Sequence, residues 1–191
     1  QLCKQTASAA IHHITQNKNH ILVSECLKLL YHLFNKANSK QKEDMMDKCV
    51  ETVLKALEGT DSEDITINSS LILKEVILIE NEKLELSDKA RITNAAAVHM
   101  KCKNPDVLCK FLDLTYLLLS KADTQQKENI VDLHFIKVVL DFVKKKKRCD
   151  EDDELHKSGW DIFRLCAFKS KKNSDSLVAS DAVPVILQYL K

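Results

Sequence analysis

The run ECLKLLYHLF (residues 25–34) returns in kind as NSSLILKEVI (68–77), KFLDLTYLLL (110–119) and SGWDIFRLCA (158–167). The four starts lie 43, 42 and 48 residues apart. Each run spaces apolar side chains three and four positions apart, which is the period of a helix buried on one side. A repeat of this length without a strand signal marks a helical solenoid, in which each repeat shelters its apolar face on its neighbours. The expected fold is all-α: a right-handed α-solenoid of about four to five repeats, with residues 1–191 as a single domain.

Composition agrees. Only 2 Gly and 2 Pro occur in 191 residues, so the residues that end helices are scarce. Aromatics make up 5%, and no Val, Ile, Tyr or Thr alternation suggests a sheet. At 45% hydrophobic, the chain has enough apolar surface to fold. Lys+Arg 29 against Asp+Glu 28 leaves a net charge of +1, which argues against a nucleic-acid footprint over the whole surface. No apolar stretch approaches the ~18 residues of a membrane span.

Reading outward from the repeats, the sequence predicts helices over 2–16, 21–34, 40 to about 58, 65–79, 87–101, 105 through at least 119, 125–146, 155–168 and 177–191. Ser39 is a candidate N-cap, Gly59 a C-cap, Pro105 a first-turn proline, and Asp123 or Thr124 a further cap. The predicted apolar stripes are Leu22, Cys26, Leu29, Leu30 and Leu33 in the second helix, and Met45, Met46, Cys49, Val50, Val53, Leu54 and Leu57 in the third. Another runs from Val107 through Leu119. The segment 125–146 places Ile130, Val131, His134, Val138, Val139 and Phe142 on one side. Residues 169–175 read as a polar loop. KKKKRCDEDDE (144–154) reads as an enlarged charged loop, at the point where the repeat spacing stretches. Gln1 enters directly into a helical pattern and Lys191 follows ILQYL without a stop, so the expectation is a piece of a longer chain.

The segment LVASDAVPVILQYLK (177–191) resembles the second-helix signature of armadillo repeats: an apolar pair, a small turn, then an apolar-Pro-apolar-Leu run. KENIVDLHFIKVVLDFV (127–143) and KEDMMDKCVETVLKAL (42–57) look like weaker copies, and the four opening runs resemble the third armadillo helix. Asp181 stands where the family usually has glycine. The family's peptide-binding members carry Trp and Asn four residues apart on the third helix. Those positions fall here on Lys28 and His32, Leu71 and Glu75, Asp113 and Leu117, and Asp161 and Leu165. None is Trp or Asn, so the resemblance is to a divergent armadillo or HEAT-like array without the asparagine ladder. It implies a non-catalytic scaffold that holds a protein or peptide segment along a concave face. On that reading the contact residues are Lys28, Tyr31, His32, Glu75, Asp113, Tyr116, Asp161 and Arg164. Tyrosine and arginine are favoured at binding hot spots.

The chemistry of an enzyme is missing from the pattern. Gly59 and Gly159 are the only glycines, so there is no phosphate loop and no nucleophile elbow. His99, Cys102 and Cys109, or the pair His12 and His13, lack the further ligands of a zinc site. The expectation is therefore no catalytic residues, no cofactor, no metal and no small-molecule substrate. The seven cysteines (Cys3, Cys26, Cys49, Cys102, Cys109, Cys149 and Cys166) read as core thiols of an intracellular protein, cytoplasmic or nuclear. Trp160 falls on a core position, and Gly159 beside it permits close helix approach. Lys144, Lys145, Lys146, Lys147 and Arg148 form a candidate localisation or anion-binding run. Two alternatives remain open at this point: a nucleic-acid or chromatin-associated helical array using that run, and a regulatory arm of a larger enzyme.

Overall fold

A computed structural model describes residues 2–80, 84–146 and 153–189, and every regular element among them is an α-helix. The chain divides into two compact units, Gln1–Leu84 and Glu85–Lys191.

The first unit holds α1 (Leu2–Gln16), α2 (His20–Lys36), α3 (Ser39–Glu58) and α4 (Glu63–Glu80). α1 packs on α2 and α3, and α4 packs on the same two helices. Two antiparallel hairpins therefore lie side by side, with α1 and α3 in one layer and α2 and α4 in the other. Lys4 reaches Asp44 (3.3 Å) at the starts of α1 and α3, and the Asn68 amide donates to Ser24 Oγ (3.2 Å) near the starts of α4 and α2. Equivalent helices thus run parallel, a register that repeats after 40 to 44 residues.

Local chemistry sets the helix starts. The Asn19 carboxamide accepts from the N–H groups of Ile21 and Leu22, and Asn38 forms a reciprocal capping box with Gln41. The cap of α3 is therefore Asn38, not Ser39, which is already helical: the amide side chain reaches the third N–H of the turn and frees Ser39 to continue the helix. Gly59 does end α3, but at φ −99 it needs no left-handed backbone.

The α3 stripe is buried as expected, from Met45 to Leu57. The α2 stripe is rotated. Leu22 and Leu29 are exposed, while Val23, Ser24, Leu27, Leu30 and Phe34 are buried. Apolar residues surround this helix, and Ser24 can turn inward only because Asn68 supplies its partner.

The second unit comprises α5 (Leu86–His99), α6 (Pro105–Lys121), α7 (Thr124–Ile130), α8 (Leu133–Lys146), α9 (Asp153–Ala167), α10 (Lys171–Ala179) and α11 (Ala182–Tyr189). α5 packs on α6, α7 and α8; α6 packs on α9; α8 packs on α9 and α10. Pro105 opens α6, whose whole predicted stripe is buried, and Asp123 caps α7.

Three expectations change here. The helix predicted over 125–146 is broken at Val131 and Asp132, where the Asp132 carboxylate accepts from Phe135 N–H (2.7 Å) and starts α8 afresh. The restart shifts the phase, so His134 is exposed and Phe135 buried. The carbonyl of Ile130, freed by the break, accepts from the Thr93 hydroxyl of α5 (2.9 Å). The predicted polar loop 169–175 is largely α10. Its buried side chains are Asn173, which donates to Lys127 O and Cys166 O, and Leu177, so one apolar residue near its end is too little to form a stripe. The predicted helix 177–191 breaks at Ser180 and Asp181, and Asp181 takes φ 58. That left-handed turn is where the armadillo pattern has glycine. Of the charged loop expected over 144–154, residues 147–152 lie outside the described residues; α8 runs through Lys146, as the predicted helix does, and α9 begins at Asp153.

Gly159 lets α8 and α9 approach closely. A Cβ there would lie 2.7 Å from Val143 Cγ1 and 3.0 Å from the Phe142 ring, so α8 and α9 meet as near as they do because position 159 has no side chain.

Candidate partner-binding faces

In the first unit the candidate contact residues fall on the paired helices α2 and α4. Lys28 and His32 are exposed, and Tyr31 and Glu75 half-buried. Lys28 donates to Glu25 at 2.7 Å, and this carboxylate pushes the lysine pKa upward. In the second unit the corresponding residues lie on α6 and α9, which also pack together. Tyr116 and Arg164 are exposed, and Asp113 and Asp161 half-buried. Arg164 reaches Asp161 at 3.5 Å along one face of α9. The eight residues thus gather as two sets of four, one in each unit. Tyr31 and Tyr116, equivalent in the sequence repeat, differ in exposure.

Sequence reasoning missed the apolar part of the first face. Leu22 and Leu29 on α2, and Leu78 on α4, are exposed. Leu22 and Leu29 read as core because their spacing is helical, and only the packing shows which side is covered.

Of the basic run, Lys144 is exposed on the last turn of α8, where a cation offsets the helix dipole. Lys145 and Lys146 are helical, and Lys147 and Arg148 lie outside the described residues. Trp160 is half-buried and meets Phe163 edge-on (centroids 5.7 Å). His156 Nε2 lies 3.1 Å from Val143 O and 3.2 Å from Trp160 Nε1. With Nε2 bare, His156 accepts the indole N–H; with Nε2 protonated, it donates to Val143 O instead.

The cysteines do not share one environment. Cys49 and Cys166 are buried, and burial pushes both thiols up to about 12. Cys3, Cys26 and Cys102 are half-buried and Cys109 is exposed, so the core-thiol expectation fails for these four. Cys149 lies outside the described residues. His99 stacks on Phe111 (4.8 Å), and Cys102 Sγ accepts from Asn104 N–H (3.4 Å). Among the described residues no three His, Cys, Asp or Glu side chains cluster closely enough to hold a metal ion, and no helix is long and apolar enough to cross a membrane.

Two clefts stand apart from these faces. In the first unit, a cleft of about 410 Å³ opens where α1 and α3 end and α2 and α4 begin, between Asn17, His20, Lys55 and Ile65. In the second, a cleft of about 430 Å³ lies between the α5–α6 turn and α8, lined by Met100, Leu108, Val138 and Phe142 with Lys101, Lys103 and Asp141. No motif marks either one, because each is assembled from separated segments.

Comparison with protein-family models, with curated proteins and with solved structures gives no match.

Proposed function

We propose that this chain is a non-catalytic scaffold of armadillo/HEAT-like helical repeats, part of a right-handed α-solenoid, that holds segments of partner proteins on its exposed helix faces. The observation that carries the reading is the pairing of equivalent helices, α2 with α4 and α6 with α9, each pair bearing polar and aromatic side chains that are exposed or half-buried. Side-by-side repeats of this kind present side chains in register on a preformed surface, so a flexible partner segment bears most of the ordering on binding. The two-helix hairpins of the first unit suit a HEAT-like pattern, and the three-helix run α7–α8–α9 suits an armadillo-like one.

The test is affinity capture with the whole chain, alongside a double variant, Asp113→Lys with Asp161→Lys, and the single variant Tyr116→Ala. A partner retained by the parent and lost by the double variant supports the α6–α9 face. Truncation of a hot-spot tyrosine is expected to weaken that partner by about 1–2 kcal/mol. Capture of every partner unchanged by all three substitutions removes the proposed face.

A further inference from the structure

We infer that the cleft between the α5–α6 turn and α8 is a docking pocket for a short acidic segment of a partner protein, anchored by one large apolar side chain. The inference stands apart from the α6–α9 face and uses none of its residues.

The floor is apolar: Met100, Leu108, Val138 and Phe142 come from three different elements and are each at least nine-tenths buried. The volume, about 430 Å³, falls in the lower part of the range of sites that enclose a compact ligand group. The mouth is cationic. Lys101 and Lys103 stand exposed on the turn. Asp141 is the one acid in the lining, and Lys137 and Lys144, four residues before and three after it on α8, share its exposed side. The lining holds two lysines against one aspartate, and with the neighbouring Lys137, Lys144 and exposed Asp106 counted the rim has four lysines against two aspartates, a net positive rim on a chain whose net charge is only +1. The carboxyl end of α8 adds a partial negative charge, which Lys144 on its last turn offsets.

The turn that carries Lys101 and Lys103 is held in place before any ligand arrives. Lys101 N–H donates to Val98 O (3.2 Å), Cys102 N–H to His99 O (3.0 Å), and Asn104 N–H to Cys102 Sγ (3.4 Å), while the Asn104 side chain caps α6. A fixed cationic rim over an apolar floor selects an occupant that pairs carboxylates with a hydrophobic anchor. Nucleic acid matches the rim but not the floor, since no exposed aromatic ring lines the cleft for a base to stack on.

The test uses the whole chain and an array of labelled acidic peptides that carry Leu, Ile, Phe, Trp or Met at the centre, with alanine-centred peptides as controls. Binding is read by fluorescence anisotropy. We expect at least one member to bind above its alanine control. The double variant Lys101→Glu with Lys103→Glu should weaken it by about tenfold at low salt, and by less at high salt. Circular dichroism of that variant should match the parent, because both lysines are exposed. Three results would each overturn the inference: no peptide bound above its alanine control, equal binding by parent and variant, or oligo-dT bound more tightly than every peptide and lost in the same variant.

Discussion

The two units package similar helices with different punctuation. In the first, α3 is an unbroken helix of 20 residues. In the second, the corresponding stretch is cut into α7, 7 residues long, and α8, 14 residues long. The difference teaches that a helix break resets which side of the chain faces inward. α3 keeps one phase from Met45 to Leu57, and its stripe is legible from the sequence. Across Val131 and Asp132 the phase changes, and a stripe read straight through the break puts His134 inside when it is outside.

Truncating the core tests whether each unit depends on its stripe. Phe111→Ala in α6 should destabilise by about 3–5 kcal/mol and Leu54→Ala in α3 by about 2–5 kcal/mol, measured as shifts in the urea midpoint. A loss below 1 kcal/mol in either would mean that the unit does not rest on that stripe. Next in size, Gly159→Ala should cost about 1–3 kcal/mol, since the new methyl meets Val143 and Phe142. Gly59→Ala in the first unit meets only Lys55 O at 3.4 Å and has an ordinary φ, so it should be neutral or stabilise by up to about 1 kcal/mol. Equal effects at the two glycines would erase the contrast in helix approach.

The breaks can be sharpened one at a time. Asp132→Ala removes the cap of α8 and should cost about 1 kcal/mol. Asp181→Gly relieves a left-handed aspartate and should stabilise by up to about 1 kcal/mol in thermal or urea unfolding. A destabilised Asp181→Gly would show that the carboxylate, rather than the backbone, is what that turn requires.

The last effect is nil at neutral pH. Cys49 and Cys166 have folded thiols raised to about 12 from an ordinary 9.0, so the unfolded chain ionises first as pH rises. Stability is therefore full below pH 9 and is lost across the window from 9 to 12. One such thiol sits in each unit, and a double Cys49→Ala and Cys166→Ala variant should show a flatter decline as pH rises above 9. At neutral pH, Cys109 should react with a thiol reagent in the native protein, whereas Cys49 and Cys166 should react only on unfolding. Early labelling of Cys166 would place it nearer the surface than the structure does.

The helical content and most helix limits were legible because local signals suffice for them. Asn and Asp caps, the proline of α6 and the one-sided stripes of α3 and α6 act within a single turn or a single helix. What escaped involves partners far along the chain. Ser24 is buried because of Asn68, Thr93 because of Ile130, and Asn173 because of Lys127. A polar residue that turns inward leaves no apolar stripe, which is why α10 read as a loop. The candidate contact residues were legible as positions in a repeat, but not their exposure, nor the cationic cleft built by Lys101, Lys103, Val138 and Phe142.

The sequence by itself determined that the chain is helical and where most helices start and stop, because capping and hydrophobic period are short-range properties of the backbone. Only the tertiary structure decided which flank of α2 is covered, where α8 restarts its phase, and which lysines surround a common cleft. Those outcomes depend on side chains that meet across roughly forty residues of chain, and burial is a property of the neighbours a residue acquires rather than of the residue itself.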